Sequence, residues 1–348
     1  MTIKQTTCGY EALPAASRVR SGRRPVIAAL GAGRMGRGIA HAFAWAGHDV
    51  LLIDLKPRGK AAAAKLKKEV NAELRATLAT HAELGGFDAS VVVPMLARVH
   101  FVSREGSAAA LARAGVVFEG VPEVMEAKRE ALAFAGAHMR PSALLASTTS
   151  TFLVTSLAEF VPRPNSFLNT HWLNPAYIVP LVELSAHQRT GAKALARMKA
   201  LLEGIGKVPV VCAAAPGFIV PRLQTLIMHE AARMIEEGVA SAGDIDRAIR
   251  YGFGFRYATM GVVEFMDYGG NDIVWYAGNY LAGQLGERYR PPRILKTLMD
   301  DGRRGLREGR GFYDWTGIDQ AAYRKETLTR LIAMLRHLGL LRPPAGGR

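Results

Sequence analysis

Cysteine is nearly missing from this chain. Its 348 residues include two, Cys8 and Cys212, far apart and in no metal-ligand spacing. That excludes a disulfide framework and a structural zinc site, and it suits a reducing compartment such as the cytoplasm, with no metal expected. Long apolar runs are missing too. None approaches the ~20 residues that cross a bilayer, so neither a membrane span nor a membrane partner is expected. Acids are scarce beside bases, 30 against 45, for a formal net charge of +15. The bases are spread along the chain without aromatic interleaving or a recognisable nucleic-acid motif, so nucleic acid is not the expected partner. A surface of that sign draws in anionic cofactors and substrates instead. Residues 1–24 hold Arg18, Arg20, Arg23 and Arg24 with one acid, Glu11, but lack the apolar core of a secretory signal. They read as a flexible tail.

What is present is organised around Val26 to Asp54. An apolar strand, Val26 to Leu30, leads into Gly31-Ala32-Gly33-Arg34-Met35-Gly36, then an apolar helical segment to Gly47, then a second strand, Val50 to Ile53, ended by Asp54. Gly31 permits a tight turn, and Gly33 has no Cβ to hold a pyrophosphate off the backbone. Gly36 lets the helix approach the sheet, so that its first N–H groups face the phosphates. The turn from Gly31 to Gly36, Arg34 and Met35 included, is therefore expected to line a dinucleotide. Asp54, about twenty residues on, is placed to take the adenosine ribose hydroxyls and to favour NAD over NADP. Lys56 and Arg58 follow it closely, and a base there could accept a phosphate.

Beyond Asp54 the pattern alternates. A helix is expected over 59–85, a second helical piece over 88–97, and strands at 99–102, 116–119, 143–146, 167–169, 181–184 and 208–211. Repeated strand–helix units imply an α/β fold with a doubly wound, mostly parallel sheet, whose ligands bind beyond the carboxyl ends of the strands. Asp54, Glu119 and the turn Ser147 to Ser150 should lie there. From Pro216-Gly217 the pattern is helical, with helices expected near 217–237, 243–251, 259–267, 270–284, 291–301 and 319–338. The glycine-, arginine- and aromatic-rich stretch Gly305 to Trp315 reads as a tight loop that needs a packing or ligand partner. The expected organisation is a tail over 1–24, a nucleotide-binding domain over 25–214, a helical domain over 215–340 and a tail over 341–348.

The informative chemistry lies in His171-Trp172-Leu173-Asn174-Pro175 and in Glu183, twelve residues after the histidine inside Leu-Val-Glu-Leu. A carboxylate facing a sheet interior must be paired or it costs ~2–7 kcal/mol. A carboxylate beside an imidazole fixes the ring's tautomer and raises its basicity, as a general base requires. Asn174 can donate its amide to a cofactor or substrate carbonyl.

With these residues in view, the sequence resembles the L-3-hydroxyacyl-CoA dehydrogenase family. The resemblance is carried by Gly31-x-Gly33-x-Met35-Gly36-x-Gly38-Ile39-Ala40, His171-x-x-Asn174-Pro175, Leu181-Val182-Glu183, Pro216 to Val220 and Gly311-Phe312-Tyr313, over about residues 25 to 316. It implies a Rossmann domain followed by an all-α dimerisation domain, NAD as cofactor and a homodimer. It implies that His171 takes the proton of a substrate 3-hydroxyl and that Glu183 stabilises the imidazolium. Ser150 would bond at the reacting oxygen or nicotinamide, and Asn174 at the nicotinamide carboxamide. Glu123 and Lys128 would contact the ribose and phosphate region, and Arg307 would stand for the family's lysine in the late glycine loop.

Three positions depart from the family. Pro221 replaces an asparagine, and Glu73 and Thr80 stand where the acyl-CoA enzymes place a serine and a lysine for the CoA nucleotide. Lys60, Lys65, Lys67 and Lys68 on the same helix offer another route to CoA, or an ordinary solvated face. The expected activity is oxidation of a short-chain L-3-hydroxyacyl-CoA such as 3-hydroxybutyryl-CoA. The alternatives are a free hydroxy acid, as in relatives acting on L-gulonate or carnitine, and a non-catalytic crystallin-like protein.

Overall fold

The computed structural model describes residues 24–342. The expected N-terminal tail, but for Arg24, lies outside them, as do Cys8 and residues 343–348. Two compact units divide at Ile227 and Met228.

The first unit is built on one eight-stranded sheet. In chain order its elements are β1 (Ile27–Leu30), α1 (Arg34–Trp45), β2 (Val50–Ile53), α2 (Lys60–Glu83), α3 (Val92–Ala97), β3 (Val99–Val102), α4 (Ser107–Arg113), β4 (Val116–Glu119), α5 (Met125–His138), β5 (Leu144–Ser147), α6 (Val154–Ala158), β6 (Phe167–Trp172), β7 (Leu181–Ser185), α7 (Ala192–Glu203) and β8 (Val208–Cys212). The strand order is β3-β2-β1-β4-β5-β6-β7-β8. Every neighbouring pair is parallel except β6 and β7.

The central strands are apolar on both faces because both faces are covered. Along β1 the side chains alternate between two cores: Ile27 and Ala29 pack with Ile39, Phe43, Val70 and Leu202, while Ala28 and Leu30 pack with Leu111, Leu132 and Leu157. Thus α1, α2 and α7 cover one face and α4, α5 and α6 the other. The single helix expected over 88–97 is a 3-10 turn, Ala89–Val91, run into α3.

The second unit is helical. Helix α8 (Val220–Glu236) runs into it from the first, followed by α9 (Ala242–Tyr251), α10 (Phe253–Tyr257), α11 (Val262–Gly269), α12 (Asn271–Leu285), α13 (Arg293–Asp300) and α14 (Gln320–His337). The helix expected over 259–267 is α11, begun three residues later, and the short α10 precedes it in a stretch where no helix is expected. Helix α11 starts after Gly261, whose N–H donates to Glu264 Oε2 at 3.0 Å and so caps it. The Gly305–Trp315 loop has its packing partner in Asp267. That buried carboxylate accepts from the backbone N–H of Phe312 (3.0 Å) and Tyr313 (2.9 Å), from Trp315 Nε1 (2.9 Å) and from Asn271 Nδ2 (2.7 Å). Only glycine fits at 311, where a Cβ would lie 2.1 Å from Asp267 Oδ1. No helix among the described residues is long and apolar enough to cross a membrane.

Candidate functional site

The first part of the site is the turn after β1. Gly31 has φ +114°, and a Cβ there would sit 2.7 Å from the Gly120 carbonyl oxygen. A Cβ on Gly36 would sit 1.9 Å from the Gly31 carbonyl oxygen, which is how closely α1 meets the turn. Gly33 differs: nothing lies within 4 Å of where its Cβ would be. It faces a cleft of about 420 Å³ walled by Gly31, Gly33, Arg37, Asp54, Arg58 and Gly120. A second cleft of about 640 Å³ shares Leu55, Lys56, Val121 and Pro122 with it. Open space over Gly33, α1 pointing its first N–H groups out of the turn, and a carboxylate at the end of β2 fit a dinucleotide. Arg34 is exposed at the start of α1, and Met35 packs partly into the core. Asp54 is buried, with its Oδ2 accepting from Arg58 Nε at 2.6 Å.

The second part lies at the ends of β4 and β5. Glu119, fully buried, accepts from the Val121 N–H (2.8 Å), Ser147 Oγ (2.5 Å) and Lys128 Nζ (3.1 and 3.3 Å). Lys128 also reaches Glu123 at 3.2 Å. Glu123 in turn accepts from the Thr149 hydroxyl and from the Thr151 N–H (3.1 Å). Burial works against ionising Glu123, but the Thr149 hydroxyl, the Lys128 ammonium and the Thr151 N–H outweigh it and hold its carboxyl below the usual range. Lys128, 1% exposed, is thus engaged beneath Glu123, which is the member of the pair left half-exposed. Glu119 is the partner that the sequence reading leaves without a role. Its signal is the one used for Glu183, an acid inside an apolar strand. Ser150 is exposed at the tip of the turn these contacts hold.

The third part depends on the one reversal in the sheet. Because β7 runs antiparallel to β6, His171 and Glu183 stand directly opposite each other. His171 Nδ1 lies 2.7 Å from Glu183 Oε2. Glu183, fully buried, accepts at Oε1 from the N–H groups of Ile219 (2.8 Å) and Val220 (2.9 Å). These open α8, so the carboxylate sits at the positive end of that helix. The chain reaches this position through two left-handed residues, Gly217 (φ +78°) and Phe218 (φ +46°). A non-glycine residue costs roughly 1–2 kcal/mol in that region. The Phe218 ring stacks on His171 with centroids 5.1 Å apart and planes 12° from parallel. Since Nδ1 is taken by Glu183, Nε2 is the free ring nitrogen, bonded to no described residue. The parallel register Ser147↔Asn169 brings the turn bearing Ser150 and the end of β6 bearing His171 to the same edge. Asn174 is exposed just past β6 and begins a cis peptide to Pro175.

The remaining residues fall elsewhere. Arg307 belongs to the second unit, paired with Asp272 (3.2 Å) and Glu308 (2.8 Å). Glu73 on α2 pairs with Arg37. Pro221 occupies the second position of α8, where an N–H has no intrahelical acceptor, so the missing donor leaves the helix intact.

Residues 26–215 match the 3-hydroxyacyl-CoA dehydrogenase NAD binding domain, and residues 217–315 match the C-terminal domain of the same family. The chain is 32% identical over 305 residues to 3-hydroxyadipyl-CoA dehydrogenase of Escherichia coli, covering 87% of this chain and 62% of that protein. It is 27% identical to 5-formyl-3-hydroxy-2-methylpyridine 4-carboxylate 5-dehydrogenase of Mesorhizobium japonicum, over 90% of this chain and 97% of the relative. Among solved structures, a 3-hydroxyacyl-CoA dehydrogenase from Archaeoglobus fulgidus superposes with a TM-score of 0.71 at 31% identity, over 91% of this chain and 100% of that one.

Proposed function

The chain belongs to the 3-hydroxyacyl-CoA dehydrogenase family, as an NAD-dependent oxidoreductase, and on that premise we propose that it oxidises the 3-hydroxyl of a short-chain L-3-hydroxyacyl-CoA, with 3-hydroxybutyryl-CoA the first substrate to assay. Bound NAD supplies the acceptor for the hydrogen on C3. The Gly31–Gly36 turn and the first N–H groups of α1 take the pyrophosphate, and Asp54 takes the adenosine ribose. Glu123, Ser150 and Asn174 orient the nicotinamide end. His171 removes the hydroxyl proton at Nε2, and Glu183 holds the resulting imidazolium through Nδ1. In the reverse direction the protonated ring returns that proton to a 3-keto oxygen.

The observation that carries this reading is the 2.7 Å pairing of His171 with a carboxylate that is itself anchored by two backbone N–H groups. His171→Gln should lower kcat by about a thousandfold while NADH still binds. Near-normal turnover would remove the mechanism.

A second reading is a free hydroxy acid as substrate. It is favoured by Glu73 and Thr80 on α2, where the family's acyl-CoA enzymes place a serine and a lysine, and by the pyridine carboxylate named for the Mesorhizobium relative. Side-by-side rates on 3-hydroxybutyryl-CoA and 3-hydroxybutyrate separate the two, and a strong preference for the acid selects the second. We take residues 25–214 and 215–340 as the working domains and the cytoplasm as the setting. A homodimer would cover the exposed stripe of Ile273, Tyr276 and Tyr280 on α12. Light scattering that returned a monomer would reject it.

A further inference from the structure

The cleft meant for the adenosine ribose carries more positive charge than a strand ending in a carboxylate needs. Asp54 does not face it alone: its Oδ2 is held by Arg58 Nε at 2.6 Å, a contact that neutralises the acid. Through that one nitrogen Arg58 is fixed, and its two terminal amino groups bond to no described residue. The side chain lines the cleft and remains about a third exposed, at 32%. Lys56 lies on the same wall, exposed and likewise without a partner among the described residues. Arg37, a further wall residue, is balanced by Glu73 and adds little. A carboxylate that stands alone rejects a phosphate on the ribose 2′-oxygen by repulsion. Here that repulsion is cancelled, and a guanidinium anchored at Nε presents the planar pair of donors that suits a phosphate.

We propose that Arg58 is the specificity-determining residue of the cofactor cleft: by pairing with Asp54 and offering its free amino groups, with Lys56, to a 2′-phosphate, it lets this dehydrogenase bind NADP as well as NAD. The inference rests on the dinucleotide cleft and not on the identity of the acyl substrate.

The test is a pair of titrations of the full chain with NADH and with NADPH, followed by protein fluorescence in the absence of acyl substrate. NADPH is expected to bind within about thirtyfold of NADH, and its affinity should fall more steeply with added salt. Arg58→Ala should weaken NADPH by about tenfold or more while changing NADH by less than about threefold. Lys56→Ala should weaken NADPH by a smaller factor. NADPH binding more than about a thousandfold weaker than NADH would overturn the proposal. Equal weakening of both nucleotides by Arg58→Ala would also overturn it, because the guanidinium would then be serving the shared adenine. Failure of NADH itself to bind would refute the dinucleotide cleft, a result distinct from loss of turnover on any one hydroxyacyl compound.

Discussion

Replacing Glu183 with Gln changes one atom and tests the catalytic pair directly. The carboxylate receives three donors: His171 Nδ1 on one oxygen, and the Ile219 and Val220 N–H groups on the other. A carboxamide has one oxygen and one NH₂ to set against them. With the NH₂ turned to the two backbone N–H groups, three buried donors would face one another, at a cost of about 1–3 kcal/mol for each group left unsatisfied. The amide should therefore keep its oxygen on Ile219 and Val220 and turn its NH₂ to His171. Nδ1 must then become the acceptor, which moves the ring proton to Nε2, the atom that should receive the substrate's proton. The base is disabled without being removed. We expect kcat to fall by about a thousandfold, equivalent to roughly 4 kcal/mol of barrier. NADH affinity should be unchanged and the thermal midpoint lowered by only a few degrees. Steady-state rates from NADH absorbance, with a parallel NADH titration, decide the matter. A variant within about tenfold of the parent kcat would refute the assignment of His171 as base.

Two further outcomes follow from other parts of the fold. His41 is buried, stacked on Tyr177 at 4.3 Å, and its pKa is lowered from 6.5 to about 4, by burial first and then by His81 and Lys207. The unfolded chain therefore binds the extra proton between those values, so stability should be lost as pH falls from 6.5 toward about 4. His41→Phe keeps the stacking, and its thermal midpoint should decline less than the parent's across that window. An identical decline would reject the explanation. Asp267→Asn leaves four donors sharing one oxygen and an NH₂, and should destabilise the chain by about 2–4 kcal/mol. An unchanged urea midpoint would show that the Gly305–Trp315 loop does not depend on it.

The nucleotide-binding half was legible because its signals are local. The glycine turn, the strand before it and Asp54 after it fall within one stretch of sequence, and each is dictated by backbone geometry. From the residues themselves the His171–Glu183 pairing was legible merely as an acid in an apolar strand, and it took the family resemblance to join the two, since no residue type announces that β7 reverses direction. Lys128 illustrates a different limit. Whether a lysine one turn into α5 reaches a ligand or turns inward depends on how that helix sits against β4, and the answer here is set by Glu119. Asp267 lies far in sequence from the loop it organises, so Gly305 to Trp315 could be read as needing a partner but not which one. The five-residue α10 is too short to carry a periodic apolar signal, and the start of α11 is set at Gly261 through a cap from Glu264 rather than through any change in apolar spacing.

The antiparallel step between β6 and β7 has one more consequence. His171 and Glu183 occupy a single rung of the ladder, so their separation is set by main-chain pairing rather than by the path of the connecting segment, 173–180. Within that segment Ala176 and Tyr177 are tied to the core, while Ile178 stands open to solvent. Substitution at an exposed position of the connection such as Ile178 should therefore leave the geometry of the acid–base pair untouched.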